Sequence, residues 1–81
     1  MDIAIVSLTS MRQIYLTMPA FSRRQWEIFE MVANGLTSKA IGRELRISPR
    51  TVETHLERMR NKLHVKTTPH LVSVVIGSLK S

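Results

Sequence analysis

The sequence predicts an all-α domain of four short helices. Three observations carry that expectation. Ser or Thr cap signals recur ahead of apolar runs, apolar residues then return every three or four positions, and the breaks between runs are short. At 81 residues the chain reads as one small domain. A chain of this size buries only about 60–65% of its unfolded surface, so the core is thin and a lidded enzyme pocket does not fit.

Residues 1–19 differ from the rest. Ile3, Ile5 and Leu8 alternate loosely with smaller residues, Thr9-Ser10 interrupts, and Ile14-Tyr15-Leu16 resumes before Pro19. The stretch reads as two short strands or one poor helix, with β-branched content leaning to strands. An isolated hairpin is marginal in water, so such a segment needs a partner surface. The chain thus divides into an extension over 1–19 and a helical unit over 20–81.

Ser22 and Gln25 form a capping-box pair at the start of the first helix, whose Trp26, Phe29, Val32 and Ala33 share a face. Gly35 suits a left-handed end. Thr37 or Ser38 caps a short second helix carrying Ala40, Ile41, Glu44 and Leu45, and Arg46-Ile47 makes a tight connection. Ser48-Pro49 opens the third helix, because proline at the first helical position lacks only an N–H that would be unpaired anyway. Its inward stripe is Val52, Leu56, Met59 and Leu63. Thr67-Thr68-Pro69 repeats the signal and opens a fourth helix to about Leu79. A short helix, a tight turn and a longer helix make a helix-turn-helix arrangement.

The charge belongs to this unit. The whole chain carries 12 Lys+Arg against 6 Asp+Glu, a net of +6. Between Ser22 and Lys66 there are ten basic and five acidic residues, a net of +5. A basic surface of this kind points to a polyanion. Opposite the apolar stripe of the third helix stand Arg50, Glu53, Thr54, Glu57, Arg58 and Asn61. Arg suits guanine, a carboxylate accepts from cytosine N4, and a Thr methyl touches thymine. The N-terminal part of a recognition helix makes most base contacts, so Arg50, Glu53, Thr54, Glu57 and Arg58 are the base-reading candidates. A solvated face with ordinary surface ion pairs is the plainer alternative. The phosphate candidates are Thr37, Ser38, Lys39, Thr51, Asn61 and Lys62, with helix N-termini and basic side chains supplying the attraction. Arg43, Arg46, Arg60 and Lys66 add to the same field.

With no cysteine, a disulfide framework, a thiolate zinc site and a cysteine nucleophile are excluded. His55, His64 and His70 lack metal-ligand spacing, and Ser22, Thr37 and Ser48 read as caps rather than nucleophiles. No cofactor or metal is expected, and no enzyme activity. His55 reads either as a phosphate contact or as a half-buried packing residue. No apolar run approaches the ~20 residues of a membrane span, and no basic region precedes Ile3–Val6 as a secretory signal requires. A cytoplasmic, nucleoid-associated protein is the expectation.

Residues Ser22 to Val72 resemble the LuxR/FixJ-type (GerE-like) helix-turn-helix of bacterial transcription regulators. Glu27–Gly42 is similar to its first half. Leu45-Arg46-Ile47-Ser48-Pro49-Arg50-Thr51-Val52-Glu53-Thr54-His55-Leu56 looks like its turn and recognition helix, and Lys62-Leu63-His64-Val65 its closing motif. The resemblance implies a four-helix domain that binds double-stranded DNA as a dimer. Three positions depart from the family's habit. Gln25 stands where Glu often makes an ion pair. Gly42 replaces a small Ala, at up to ~1 kcal/mol of helix propensity. Glu53 stands where many members carry Lys. Members also commonly carry an N-terminal sensory domain, so about twenty preceding residues suggest a stand-alone member.

The fourth helix is apolar nearly all round, so part of it should meet another chain or the 1–19 extension. Leu71, Val72, Val75 and Leu79 are the dimerisation candidates. A second class of function stays open: an interaction module that pairs through this helix with another transcription regulator, or contacts RNA polymerase. RNA binding is less favoured, since no aromatic stacking platform is visible.

Overall fold

The structure, a computed structural model, describes residues 21–79, with Leu79 by its backbone alone. The 1–19 extension lies outside the described residues. Four helices follow one another: α1 Arg23–Ala33, α2 Ser38–Leu45, α3 Pro49–Lys62 and α4 Thr68–Leu79. No strand occurs among the described residues.

Each helix starts where a short hydroxyl side chain satisfies an otherwise unpaired backbone N–H. The Ser22 hydroxyl accepts from Gln25 N at 3.1 Å while Ser22 N donates to Gln25 Oε1 at 3.0 Å, a complete capping box. Thr37, not Ser38, caps α2, accepting from Ala40 N at 3.1 Å. Ser48 caps α3 by accepting from Thr51 N at 3.0 Å, with Pro49 in the first turn. Thr67 accepts from His70 N at 3.2 Å ahead of α4.

The helix ends share one device. A left-handed residue follows each of the first three helices: Gly35 (φ 90°), Arg46 (φ 58°) and His64 (φ 57°). The residue beyond it then donates back to the carbonyl five residues earlier: Leu36 N to Met31 O at 3.0 Å, Ile47 N to Gly42 O at 2.9 Å, and Val65 N to Arg60 O at 3.0 Å. These are Schellman-type closures, which pair orphan carbonyls and place an apolar residue against the helix. Leu36 and Ile47 pack on the core and Val65 is buried in it. Burial of those side chains offsets the cost of a left-handed conformation at Arg46 and His64.

The core gathers Phe21, Trp26, Ile28, Phe29 and Ala33 of the first segment, Ile41 of α2, Val52, Leu56 and Met59 of α3, and Leu71 and Val75 of α4. Phe21 and Phe29 flank Trp26 with ring centroids at 5.0 and 5.8 Å. The α3 stripe is therefore as expected, with Leu63 half-buried at the cap. On α1 the buried set is wider than expected, since Gln25 and Ile28 join it while Val32 is only half-buried, and Phe21 just before the helix is buried too.

Two expectations need correction. Leu71 and Val75 are 0% exposed within their own chain, so they face the domain's core and not a partner. The α4 apolar side chains with surface left are Val72, Val74 and Ile76, all half-buried; the Leu79 side chain lies outside the described residues. Gly42 is not merely a weak helix former. A Cβ there would stand 2.6 Å from Ile47 O and 3.3 Å from Pro49 N, so only glycine admits this approach of α2 to the turn. That approach sets α2 against the start of α3.

Candidate nucleic-acid interface

Helix α3 turns every 3.6 residues, so a strip opposite Val52, Leu56 and Met59 must point outward. Arg50, Thr54, Glu57 and Asn61 follow that strip, and all are exposed. Arg50, Glu53, Thr54, Glu57 and Arg60 line one shallow, open groove. Arg58 is exposed too but lies on the other flank, where its charge acts on His55 together with that of Arg24. The expected base-reading set therefore splits, four residues in the groove and Arg58 beside it. Arg60 was not anticipated as a groove residue; its spacing of seven from Glu53 and three from Glu57 was the available signal.

Hydrogen bonds fix several of these side chains. Thr54 Oγ1 donates to Arg50 O at 3.0 Å, which turns the hydroxyl back on the helix and leaves the methyl as the group for a groove. The Ser38 hydroxyl donates to a carboxylate oxygen of Glu53, joining the first residue of α2 to the groove edge of α3. Arg60 Nη1 donates to Thr68 Oγ1 at 2.9 Å and so ties α3 to the start of α4.

The phosphate candidates surround this strip. Thr37 and Lys39 are exposed and Ser38 is half-buried at the start of α2, and Thr51, Asn61 and Lys62 are exposed on α3. Thr51 Oγ1 sits 2.9 Å from Ser48 Oγ. The Arg24–Glu27 pair, at 3.4 Å with both side chains near half exposed, is a surface ion pair of small energetic weight.

His55 is half-buried, and its Nδ1 has no hydrogen-bond partner among the described residues. Burial first, then the nearby charges of Arg58 and Arg24, hold the imidazole below its ordinary value of 6.5. The neutral ring is the favoured form. Among the described residues no group of three or more His, Cys, Asp or Glu is placed to hold a metal, and no helix is long and apolar enough to cross a membrane.

Sequence comparison decides the family. The bacterial regulatory proteins, luxR family (GerE), match residues 19–75. The chain belongs to the luxR family. That family is one of helix-turn-helix, DNA-binding transcription regulators. Over 56 residues the chain is 39% identical to the transcriptional regulatory protein FixJ of Rhizobium meliloti, covering 69% of this chain and 28% of that one. It is 43% identical over 61 residues to the transcriptional activator protein RaiR of Rhizobium etli, covering 75% and 25%. It is also 36% identical over 55 residues to the oxygen regulatory protein NreC of Staphylococcus carnosus, covering 68% and 25%. The chain thus matches about a quarter of the length of these relatives. No solved structure matches it.

The luxR-family departures now have a geometry. Gln25 is 5% exposed, and its Oε1 accepts from Lys62 Nζ at 3.2 Å as well as from Ser22 N. A neutral amide oxygen thus stands where the family often places an ion-pairing Glu, and the bond pins the end of α3 to the start of α1.

Proposed function

We propose that this luxR-family chain is a dimeric regulator of transcription that binds double-stranded DNA with sequence specificity. The observation that carries the reading is the α3 strip: Arg50, Glu53, Thr54 and Glu57 are exposed together along one groove, opposite a fully buried stripe. A major groove admits such a helix and offers base edges to those side chains. Thr37, Lys39, Thr51, Asn61 and Lys62 hold phosphates on either side. Val72, Val74 and Ile76 of α4 pair the subunits. Two-fold symmetry then calls for two half-sites about one helical turn apart. The protein works in the cytoplasm, on the nucleoid.

The test compares two alanine variants on a selected duplex and on random duplex. Arg50→Ala is expected to lose about 1–3 kcal/mol on the selected site and little on random DNA. Lys39→Ala is expected to weaken both and to lower the salt slope by about one. Equal losses on both duplexes for Arg50→Ala would end its base-reading role.

A second reading draws on Glu53 and Glu57, two carboxylates on the face that would meet DNA, and on the apolar surface of α4. There the chain pairs through α4 with another regulator, or contacts RNA polymerase, and DNA binding is secondary. Absence of any DNA retardation at low salt would select this reading.

A further inference from the structure

We infer that Ser38 is a positioning residue that orients Glu53 to accept a hydrogen bond from the amino group of a cytosine, so that each half-site carries a cytosine read by this carboxylate. The inference rests on the DNA-binding reading above and deepens it.

Three observations carry it. First, the Ser38 hydroxyl is not used for capping; Thr37 supplies the cap of α2 through Ala40 N. Second, that hydroxyl donates to one carboxylate oxygen of Glu53, 15 residues away across the α2–α3 turn. Third, Glu53 lines the same open groove as Arg50, Thr54 and Glu57, so its other oxygen remains for a partner outside the protein.

An ionised carboxylate only accepts hydrogen bonds. In the major groove guanine presents N7 and O6 and thymine presents O4, all acceptors, and these repel it. Cytosine N4 and adenine N6 both donate, but adenine N6 lies beside the N7 acceptor, which repels a carboxylate, so cytosine N4 is the matching edge. A free Glu side chain would lose much rotamer freedom on binding. The Ser38 bond removes part of that freedom before DNA arrives, which improves both affinity for the matching base and rejection of the others. Gly42 supports the pair from behind, because the close approach of α2 to the Ile47–Pro49 turn sets the distance between the two side chains.

The test selects bound sequences from randomised duplex DNA with the full chain, then measures affinity and salt dependence for single-base variants of the selected site. The wild type is expected to require a cytosine at one position per half-site. Glu53→Gln, which carries donor and acceptor together and so suits adenine, is expected to lose about tenfold of that discrimination. Ser38→Ala is expected to lose roughly three- to tenfold of it, with affinity for random duplex and the salt slope unchanged. Ser38→Thr keeps the hydroxyl and is expected to restore it. An unchanged base preference in Glu53→Gln overturns the inference while DNA binding stands. A uniform loss with a shallower salt slope in Ser38→Ala overturns it in favour of a phosphate contact. No binding to any duplex at low salt removes the DNA-binding reading itself, and the inference with it.

Discussion

Replacing Gly42 by Ala should destabilise the domain, although helix propensity alone says the opposite. In an exposed helix interior, Ala is favoured over Gly by about 1 kcal/mol. Here the added Cβ would lie 2.6 Å from Ile47 O and 3.3 Å from Pro49 N. Both are backbone atoms, so no side chain can swing aside. Either α2 moves off the turn or the turn opens, and overpacking of this kind costs about 1–3 kcal/mol. Ile47 N also donates to Gly42 O at 2.9 Å, so a shift strains the closure of α2 as well. Set against the propensity gain, the net loss is about 0–2 kcal/mol. For a domain of this size the upper end is a fall in Tm of roughly 8–15 °C.

Gly77 supplies the control within the same chain. It is a helical glycine whose added Cβ meets nothing within 4 Å. Gly77→Ala should therefore raise stability by about 0.5–1 kcal/mol. Urea denaturation of both variants measures the pair, with matched slopes showing that the folded and unfolded states are comparable. Opposite signs support the reasoning. A Gly42→Ala domain stabilised as much as the Gly77→Ala one would refute the close approach of α2 to the turn, and with it the support of the Ser38–Glu53 pair.

Gln25→Glu should restore an ion pair with Lys62 at the positive end of α1 and raise stability by about 0.5–1 kcal/mol at neutral pH. The folded pKa of such a carboxylate is depressed, so the gain is present above its unfolded value of about 4.3 and lost as pH falls through the folded value; denaturation midpoints at pH 7 and pH 3 check it. His55 is held below its ordinary 6.5 by burial and by Arg58 and Arg24, so the unfolded chain takes its proton first on acidification. Its contribution is therefore complete above about pH 6.5 and falls below it; His55→Gln should remove that part of the pH dependence, and parallel stability curves would refute it. On the proposed pairing through α4, Val72→Asp should leave a monomer in sedimentation where the wild type is a dimer, and cost about tenfold or more on a duplex with two half-sites, with a much smaller loss on a single half-site.

The local chemistry of the chain was legible in its sequence, and its long-range packing was not. Ser22, Ser48 and Thr67 act on N–H groups three residues away, so their capping needs no knowledge of the fold. Val52, Leu56 and Met59 are separated by one helical turn each and read as a stripe for the same reason. Arg46 and His64 escaped because neither marks a left-handed position as a glycine does; the decision is made one residue later, where Ile47 and Val65 pack on the core. Helix α4 has apolar residues on most sides, so its periodicity could not say that Leu71 and Val75 face inward while Val72 and Val74 do not. The Ser38–Glu53 bond escaped because the two residues meet only when α2 and α3 are folded against each other, and each had a separate role on its own helix.

That bond bears on why a DNA-reading face would carry carboxylates at all. On the proposed reading, affinity for DNA comes from the net +5 between Ser22 and Lys66, and two acids on one strip reduce it only slightly. Specificity is a difference between affinities, and repulsion enlarges it as effectively as attraction does. A Lys in place of Glu53 would attract phosphates of every sequence and guanine besides. A Glu there weakens binding wherever the base edge offers only acceptors. Its charge sits at the first turn of α2, where the unpaired N–H groups favour an anion by about 0.3–1 kcal/mol, so holding it on this face costs the folded domain little. On this argument, raising the salt concentration should weaken the binding of wild type and Glu53→Gln by similar factors while leaving the wild type's preference for its selected site largely intact. A preference that vanished with salt would mean that the carboxylate acts only through the general field of the surface.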